Sequence, residues 1–407
     1  MEIIRKEING VRVVFAPQSE ASSTTVEVYV KAGSIYETKE TNGISHFLEH
    51  MFFKWGKKYP TPLSVAMTLD ACGGECNAFT GDEYAGYYVK CAPGYVQTAV
   101  DVLGDMLVHA AFPKEEMERE KQVVIQEIKM YEDMPQHLVM EKWQQRYYGD
   151  TSRGWSTLWP EENILRFTQE DLFAHKEALY TKDNLLVVVA GAIPSMSDLE
   201  GWIGEAFGEL GATKSYVSVP FAHTLPEVKQ DCRKKWTEQR HLVMSMPGVS
   251  MTDPLKYACS LLSVMLGGNM SSRLFQEIRE KRWLCYYIHA SHHAQVPTGC
   301  FMVRAGLEVG RWDEALVAIN QQLDAYAAGE WSAHEREVAV GNITGTTQIG
   351  IETSDHMADF VGKQLLLLDS VKTLEEILIA YQNVTDEDLK KVAQLLRADQ
   401  RWTYWIE

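Results

Sequence analysis

GISHFLEHMFF, residues 43–53, places His46, Glu49 and His50 within a single helical turn beside the apolar Leu48 and Phe52. On a helix, residues four apart stack on one face about 6 Å apart along the axis, so the two imidazoles point the same way. Glu49, three residues after His46, falls on nearly the same face. Such a set suits a metal ion, with the carboxylate at hand for a bound water. Histidine pairs at this spacing also decorate ordinary helix surfaces, so the pattern alone leaves both readings open.

At 407 residues the chain fits two domains of about 200 residues each. Hydrophobic content of 45% and charged content of 23% place it among ordinary globular proteins. Its formal charge of −17 argues against nucleic acid as the main partner, because phosphate binding calls for basic patches. NLLVVVAGAI (184–193) is the most apolar run and is too short for a membrane span. The N-terminus, MEIIRKEINGVRVVF, alternates like a strand with a turn at Asn9-Gly10 and carries no secretory signal. A cytoplasmic location is the expectation. Seven cysteines without a CxxC pair fit reduced thiols. Cys72 and Cys76 flank GGE, but no second pair completes a tetrahedral set.

The first half opens with strands at 11–18 and 24–34, followed by helices at 43–53 and from Pro62 to Gly73. ECNAFTGDEYAGYYVKC reads as two strands around a turn at Gly81-Asp82, and long helical periodicity continues to about Pro135. NLLVVVAGAI supplies a later strand. The second half repeats this grammar: a strand at 234–248, helices at about 253–266 and 271–282, strands at 284–292 and 299–307, helices to about 396, and the closing strand QRWTYWIE. The expectation is an α+β fold of two structurally similar domains, each a mostly antiparallel sheet flanked by helices. The boundaries expected are 1–212, a linker at 213–230, and 231–407.

The helix at 43–53 matches H-x-x-E-H, the reverse of the commoner zincin order. Catalytic zinc takes a third protein ligand and keeps a fourth position open, so another Asp, Glu or His is required elsewhere. KAGSIYET (31–38), TNGISHFLEHMFFK (41–54), GGECNAFTGDEYAGYY (73–88) and EREKQVVIQEIKMYEDMP (118–135) together resemble the pitrilysin and mitochondrial processing peptidase family of zinc metallopeptidases. GGNMSSRLFQEIREKRWLCYYIHA (267–290) resembles that family's segment bearing an arginine and a tyrosine. The resemblance runs from about residue 10 to 395 and fits the smaller, bacterial-type members.

It implies zinc-dependent peptide hydrolysis, with one Zn²⁺ per subunit held by His46, His50 and Glu127 and with Glu49 as general base. It further implies that Glu120 supports the metal site and that Arg279 and Tyr286 contact substrate and oxyanion. The edge strand Asn77-Ala78-Phe79 would pair with an extended peptide, enclosed in a chamber that admits short or unfolded chains. In the large members the Arg/Tyr segment comes from a double-length chain, so a homodimer with Arg279 and Tyr286 acting in trans is expected. Departures are Trp55-Gly56 in place of Gly-Thr, RWLCYY (282–287) in place of RGLAYS, and Gln126 where Glu is frequent. None removes a ligand or the base.

Two other functions belong to relatives of this kind: a non-catalytic scaffold or core subunit, and a processing subunit active only with a heterologous partner. The complete set of ligands, base and Arg/Tyr pair on one chain favours neither. No feature supports a nucleic-acid or membrane partner. His289, His292 and His293 lie on a strand where His292 points away from the other two, a poor arrangement for a second metal. The GGN turn (267–269) lacks a phosphate-loop lysine.

Overall fold

The computed structural model describes residues 2–156, 160–212, 226, 229–235 and 237–407. Most of the expected linker, 213–225 and 227–228, lies outside the described residues. In the first half the strands are β1 (Ile4–Ile8), β2 (Val11–Pro17), β3 (Thr24–Val30), β4 (Glu75–Thr80), β5 (Ala85–Cys91) and β6 (Leu185–Gly191). Its helices are α1 (Ile44–Phe52), α2 (Pro62–Asp70), α3 (Val96–His109), α4 (Lys114–Glu132), α5 (Pro135–Tyr148), α6 (Glu161–Arg166), α7 (Gln169–Leu179) and α8 (Met196–Phe207). The second half adds β7 (Gln230–Arg233), β8 (Gln239–Gly248), β9 (Cys285–Ala294), β10 (Gly299–Glu308) and β11 (Trp402–Ile406). Its helices are α9 (Lys256–Gly267), α10 (Trp312–Ala327), α11 (Ala333–Ile349), α12 (Ser354–Leu368), α13 (Leu374–Gln382) and α14 (Asp386–Ala393).

The first sheet runs β1-β2-β6-β3-β5-β4 and the second β7-β11-β8-β10-β9. Leaving β1 aside, both follow one plan: first strand, fifth, second, fourth, third. In each, the first and fifth strands pair parallel and every other pairing is antiparallel. The two domains therefore share a topology, as the repeated grammar of the sequence leads one to expect. β1 is an addition, joined to β2 by Asn9 and Gly10 with φ of 51° and 84°. Two successive left-handed residues are what a two-residue hairpin of matching twist demands.

β3 and β6 are buried along their whole length, which makes them the centre of the first sheet. Val26, Val28 and Val30 of β3 enter the main helical core with α1 and α3. Thr25 and Tyr29 point the other way, onto α12. Thr25 Oγ1 lies 2.8 Å from Ser354 Oγ, and Tyr29 Oη donates to Asp359 at 3.0 Å. Gly362 makes this close approach possible, since a Cβ there would lie 2.2 Å from the Tyr29 ring.

The compact units are not cut at single points along the chain. One comprises Met1–Met130, Asp150–Pro220 and Gly350–Val371; the other comprises Tyr131–Gly149, Phe221–Ile349 and Lys372–Glu407. Thus α5 belongs with the second sheet, where Leu138, Val139 and Trp143 pack on Val243, Met302 and Trp402. Reciprocally, α12 belongs with the first sheet. The contiguous ranges 1–212 and 231–407 miss this exchange, because amphipathic periodicity marks a helix's buried face without saying which sheet buries it. Among the described residues, no helix is long and apolar enough to cross a membrane.

Candidate metal centre

α1 is positioned from both sides. Ile44, Phe47, Leu48, Met51 and Phe52 recur at helical spacing and are all buried in the first core. At its N-terminus the buried Glu37 carboxylate accepts hydrogen bonds from Gly43 N (2.8 Å), Ser45 N (2.9 Å) and Asn42 Nδ2 (3.0 Å). These bonds satisfy amides that the helix itself cannot, and the negative charge complements the helix dipole. The face left over carries His46, Glu49 and His50.

The Nε2 atoms of His46 and His50 lie 3.3 Å apart, and His50 Nε2 lies 3.3 Å from Glu127 Oε2. One ligand atom from each of these three residues falls within 4.8 Å of the others, and no other such group of His, Cys, Asp or Glu occurs among the described residues. A tetrahedral zinc with bonds of 2.0–2.1 Å sets its ligand atoms roughly 3.4 Å apart, so these donors fit zinc in both chemistry and spacing. Burial, and secondarily the neighbouring His50, hold the His46 pKa well below its ordinary value, leaving a neutral imidazole ready to ligate.

Glu120 stands behind the cluster. Its Oε1 lies 2.9 Å from His50 Nδ1, and its Oε2 accepts from Lys54 Nζ at 2.6 Å. It is 5% exposed. Burial pushes its pKa up, but the hydrogen bonds from His50 and Lys54 outweigh that and keep it ionised. Glu120 is therefore a positioning residue: it fixes the ring of His50 and increases its basicity. For His50, burial pulls the pKa down, while bonding to Glu120 and Glu127 more than reverses this and raises it to about 9.

Glu49 is held by Thr80, the last residue of β4, whose Oγ1 donates to Oε2 at 2.5 Å. Burial raises the Glu49 pKa against the opposing effects of Thr80 and His50, and nearby Glu127 adds to the rise. A carboxylate raised in this way is a stronger base toward a nearby water than an ordinary one. Lys54 and Thr80 escaped the reading of the sequence. Lys54 had a signal, being the next i+4 step after His46 and His50. Thr80 had none, because only folding brings it to α1.

Asn77, Ala78 and Phe79 lie on β4, the edge of the first sheet. Phe79 turns to the α12 side, its ring over Gly86 and edge-on to Tyr29 at 6.2 Å. The Ala78 amide, on the open edge, donates to Asn77 Oδ1 at 2.9 Å.

Arg279 and Tyr286 lie in the second unit and are brought together, the guanidinium 5.6 Å from the Tyr286 ring and 4.6 Å from that of Phe275. Two irregularities arrange them. The segment expected as an ordinary helix at 271–282 becomes a π-helical turn at Phe275–Glu280, with Lys281 N bonded to Gln276 O. β9 carries a bulge: Tyr287 faces Gly306 and Cys285 faces Leu307, which leaves Tyr286 without a partner on β10. Tyr286 is consequently 74% exposed instead of buried in the core. Trp283, between the two irregularities, has φ of 57° and is also exposed. That left-handed backbone accounts for the family's more usual glycine at this place.

His292 faces α9, with Nδ1 3.2 Å from Ser260 Oγ and Nε2 donating to Val249 O at 2.9 Å. The histidines of β9 form no metal cluster. All seven cysteines are free thiols.

Comparison with known proteins agrees with this geometry. Residues 12–161 match the family model described as Insulinase (Peptidase family M16), and residues 166–342 match that described as Peptidase M16 inactive domain. A Bacillus subtilis protein called "Uncharacterized zinc protease YmxG" is 34% identical over 95% of this chain and 94% of its own length. A Streptomyces coelicolor "Uncharacterized zinc protease" is 31% identical over 95% of this chain and 85% of its own. The crystal structure of a protease from Helicobacter pylori superimposes with a TM-score of 0.90 at 19% identity, covering 100% of this chain and 99% of that one.

Proposed function

Because the chain belongs to peptidase family M16, we propose that it is a zinc-dependent endopeptidase acting on short or unfolded peptides. The observation that carries this reading is the convergence of His46, His50 and Glu127 beside a buried Glu49 whose pKa is raised. His46, His50 and Glu127 would hold a zinc ion, which would supply Lewis acidity toward water and the scissile carbonyl. Glu49 takes one proton of the attacking water as the new carbon–oxygen bond forms. It then passes that proton to the amide nitrogen as the carbon–nitrogen bond breaks. Thr80 orients Glu49, and Glu120 orients His50.

The open edge of β4 receives the peptide as an added strand, with the Asn77 side chain giving way so that the Ala78 amide can pair with substrate. Tyr286 donates its phenolic hydrogen to the developing oxyanion, and Arg279 holds a substrate carbonyl. In this proposal Arg279 and Tyr286 come from the second copy of a homodimer that encloses the peptide in a chamber. Digestion of a peptide library, read by mass spectrometry, tests the activity, with Glu49→Gln as control; equal cleavage by the control overturns the assignment of the base. Mixing inactive Glu49→Gln and Tyr286→Phe proteins should restore activity by subunit exchange. Exchange without any recovery rules out action in trans.

A further inference from the structure

One face of the second sheet, near its β9 edge, carries a cation that has no counter-ion among the described residues. Arg304 of β10 lies directly opposite His289 of β9. Val303 and Ala305 on either side of it enter the helical core, so Arg304 shares the opposite face with Tyr287, His289, Ser291 and His293. α5 covers Cys300 and Met302 on this face, and Arg304 comes next along the strand. The Arg304 Nε is buried without a hydrogen-bond partner, and among the described residues no carboxylate forms an ion pair with it. Three other arginines of this unit are by contrast ion-paired: Arg240 with Glu407 at 2.8 Å, Arg273 with Glu335 at 2.7 Å and Arg401 with Asp324 at 2.6 Å.

In a chain of net charge −17, an unpaired, half-buried guanidinium is costly unless something pairs with it. Its cross-strand neighbours carry no acid: His289 lies opposite it on β9 and the apolar Val243 on β8. Burial, followed by the charge of Arg304, lowers the pKa of His289, while His293 is exposed. His241 Nδ1 lies 3.1 Å from Tyr287 Oη, and His293 Nε2 lies 3.0 Å from Ser291 Oγ. Among the described residues, Arg304 is thus a cation flanked by imidazole and hydroxyl groups on β9 and by apolar Val243 on β8, with no acid paired to it. A planar fork in that setting is complementary to a carboxylate, which it binds with two parallel hydrogen bonds.

β9 is also the counterpart, in the second sheet, of the edge strand β4. His289 is three residues from Tyr286, about 10 Å along a strand. We propose that Arg304 binds a carboxylate of the peptide substrate, either its free C-terminus or an acidic side chain a few residues from the segment that meets Tyr286. This rests on the peptidase reading only in making the ligand a peptide.

The test reads binding apart from cleavage, by fluorescence anisotropy on Glu49→Gln protein with three labelled dodecapeptides. One is neutral and amidated, one is the same sequence with a free C-terminus, and one is amidated with a single internal Glu. At least one carboxylate-bearing peptide should bind about tenfold tighter than the neutral amide, and which one does so identifies the source. Adding Arg304→Gln should abolish that preference while leaving the neutral amide's affinity unchanged; Arg304→Lys should keep part of it. Arg304→Gln should melt no lower than its parent, since it removes an unpaired charge; if it fails to fold, Arg304→Lys carries the test through a weakened preference. Equal binding of all three peptides by the parent, or a preference that survives Arg304→Gln, overturns the proposal. Failure of the peptidase reading shows separately, as absence of cleavage of any of the three peptides by protein with Glu49 intact.

Discussion

The two units share a strand order and differ in what their helices carry. In the first, the helix after the second strand is α1, with His46, Glu49 and His50 on its free face. In the second, the corresponding helix is α9, KYACSLLSVMLG, which offers no histidine and no acid. α4 brings Glu120 and Glu127 to the metal ligands, whereas α11, at the equivalent place, ends in GNITGTTQI. One scaffold thus bears the candidate ligand set, and its copy bears Arg279 on a π-helical turn beside an exposed Tyr286 on a bulged edge strand. The topology is a support, and the chemistry depends on a few side chains placed on it.

The sharpest way to break this comparison is at Glu49. Glu49→Gln should lower peptide hydrolysis roughly 10²–10⁴-fold while zinc content by mass spectrometry stays near one per chain. Retained activity would mean that the first unit does not hold the base. Glu120→Gln comes next: losing the partner of His50 Nδ1 should weaken zinc affinity about 10–100-fold in a chelator competition. An unchanged affinity would reduce Glu120 to a buried partner of Lys54 with no part in holding the metal.

The docking of the exchanged helix α12 can be tested against an exposed position on α11. Gly362→Val should drive a side chain into Tyr29 and destabilise the first unit by about 1–3 kcal/mol in urea unfolding. A substitution at exposed Gly341, where an added Cβ meets nothing within 4 Å, should cost far less. Equal losses would show that α12 is not tightly docked on the first sheet.

The smallest effect is pH dependence. In the metal-free protein His50 has a folded pKa raised to about 9 from 6.5. Its stabilising contribution is therefore fully present below about pH 6.5 and lost as pH rises through about 9. Zinc needs the neutral ring, so binding at pH 7.5 should release close to one proton, and affinity should climb with pH toward 9. Calorimetry in buffers of different ionisation enthalpy reads that proton, and Glu120→Gln should diminish it. The second unit, in which the described residues form no such centre, should contribute no zinc-linked proton.

Much of this was legible locally. The i, i+3, i+4 pattern of residues 44–52 specifies an amphipathic helix and the face on which His46, Glu49 and His50 must lie, because helix geometry makes spacing equivalent to direction. Asn9-Gly10 specifies its turn for a similar reason, as few residues tolerate two left-handed positions in succession. Glu127 was found through resemblance, not spacing, since nothing local says which of many helical glutamates returns to α1. Only the tertiary structure decided that Thr80 holds Glu49, that α5 and α12 change sheets, that a bulge exposes Tyr286, and that among the described residues no acid pairs with Arg304. Each is a relation between residues far apart in the chain. The periodicity of a segment records which of its faces is buried, whereas the identity of the partner depends on how all the segments pack at once.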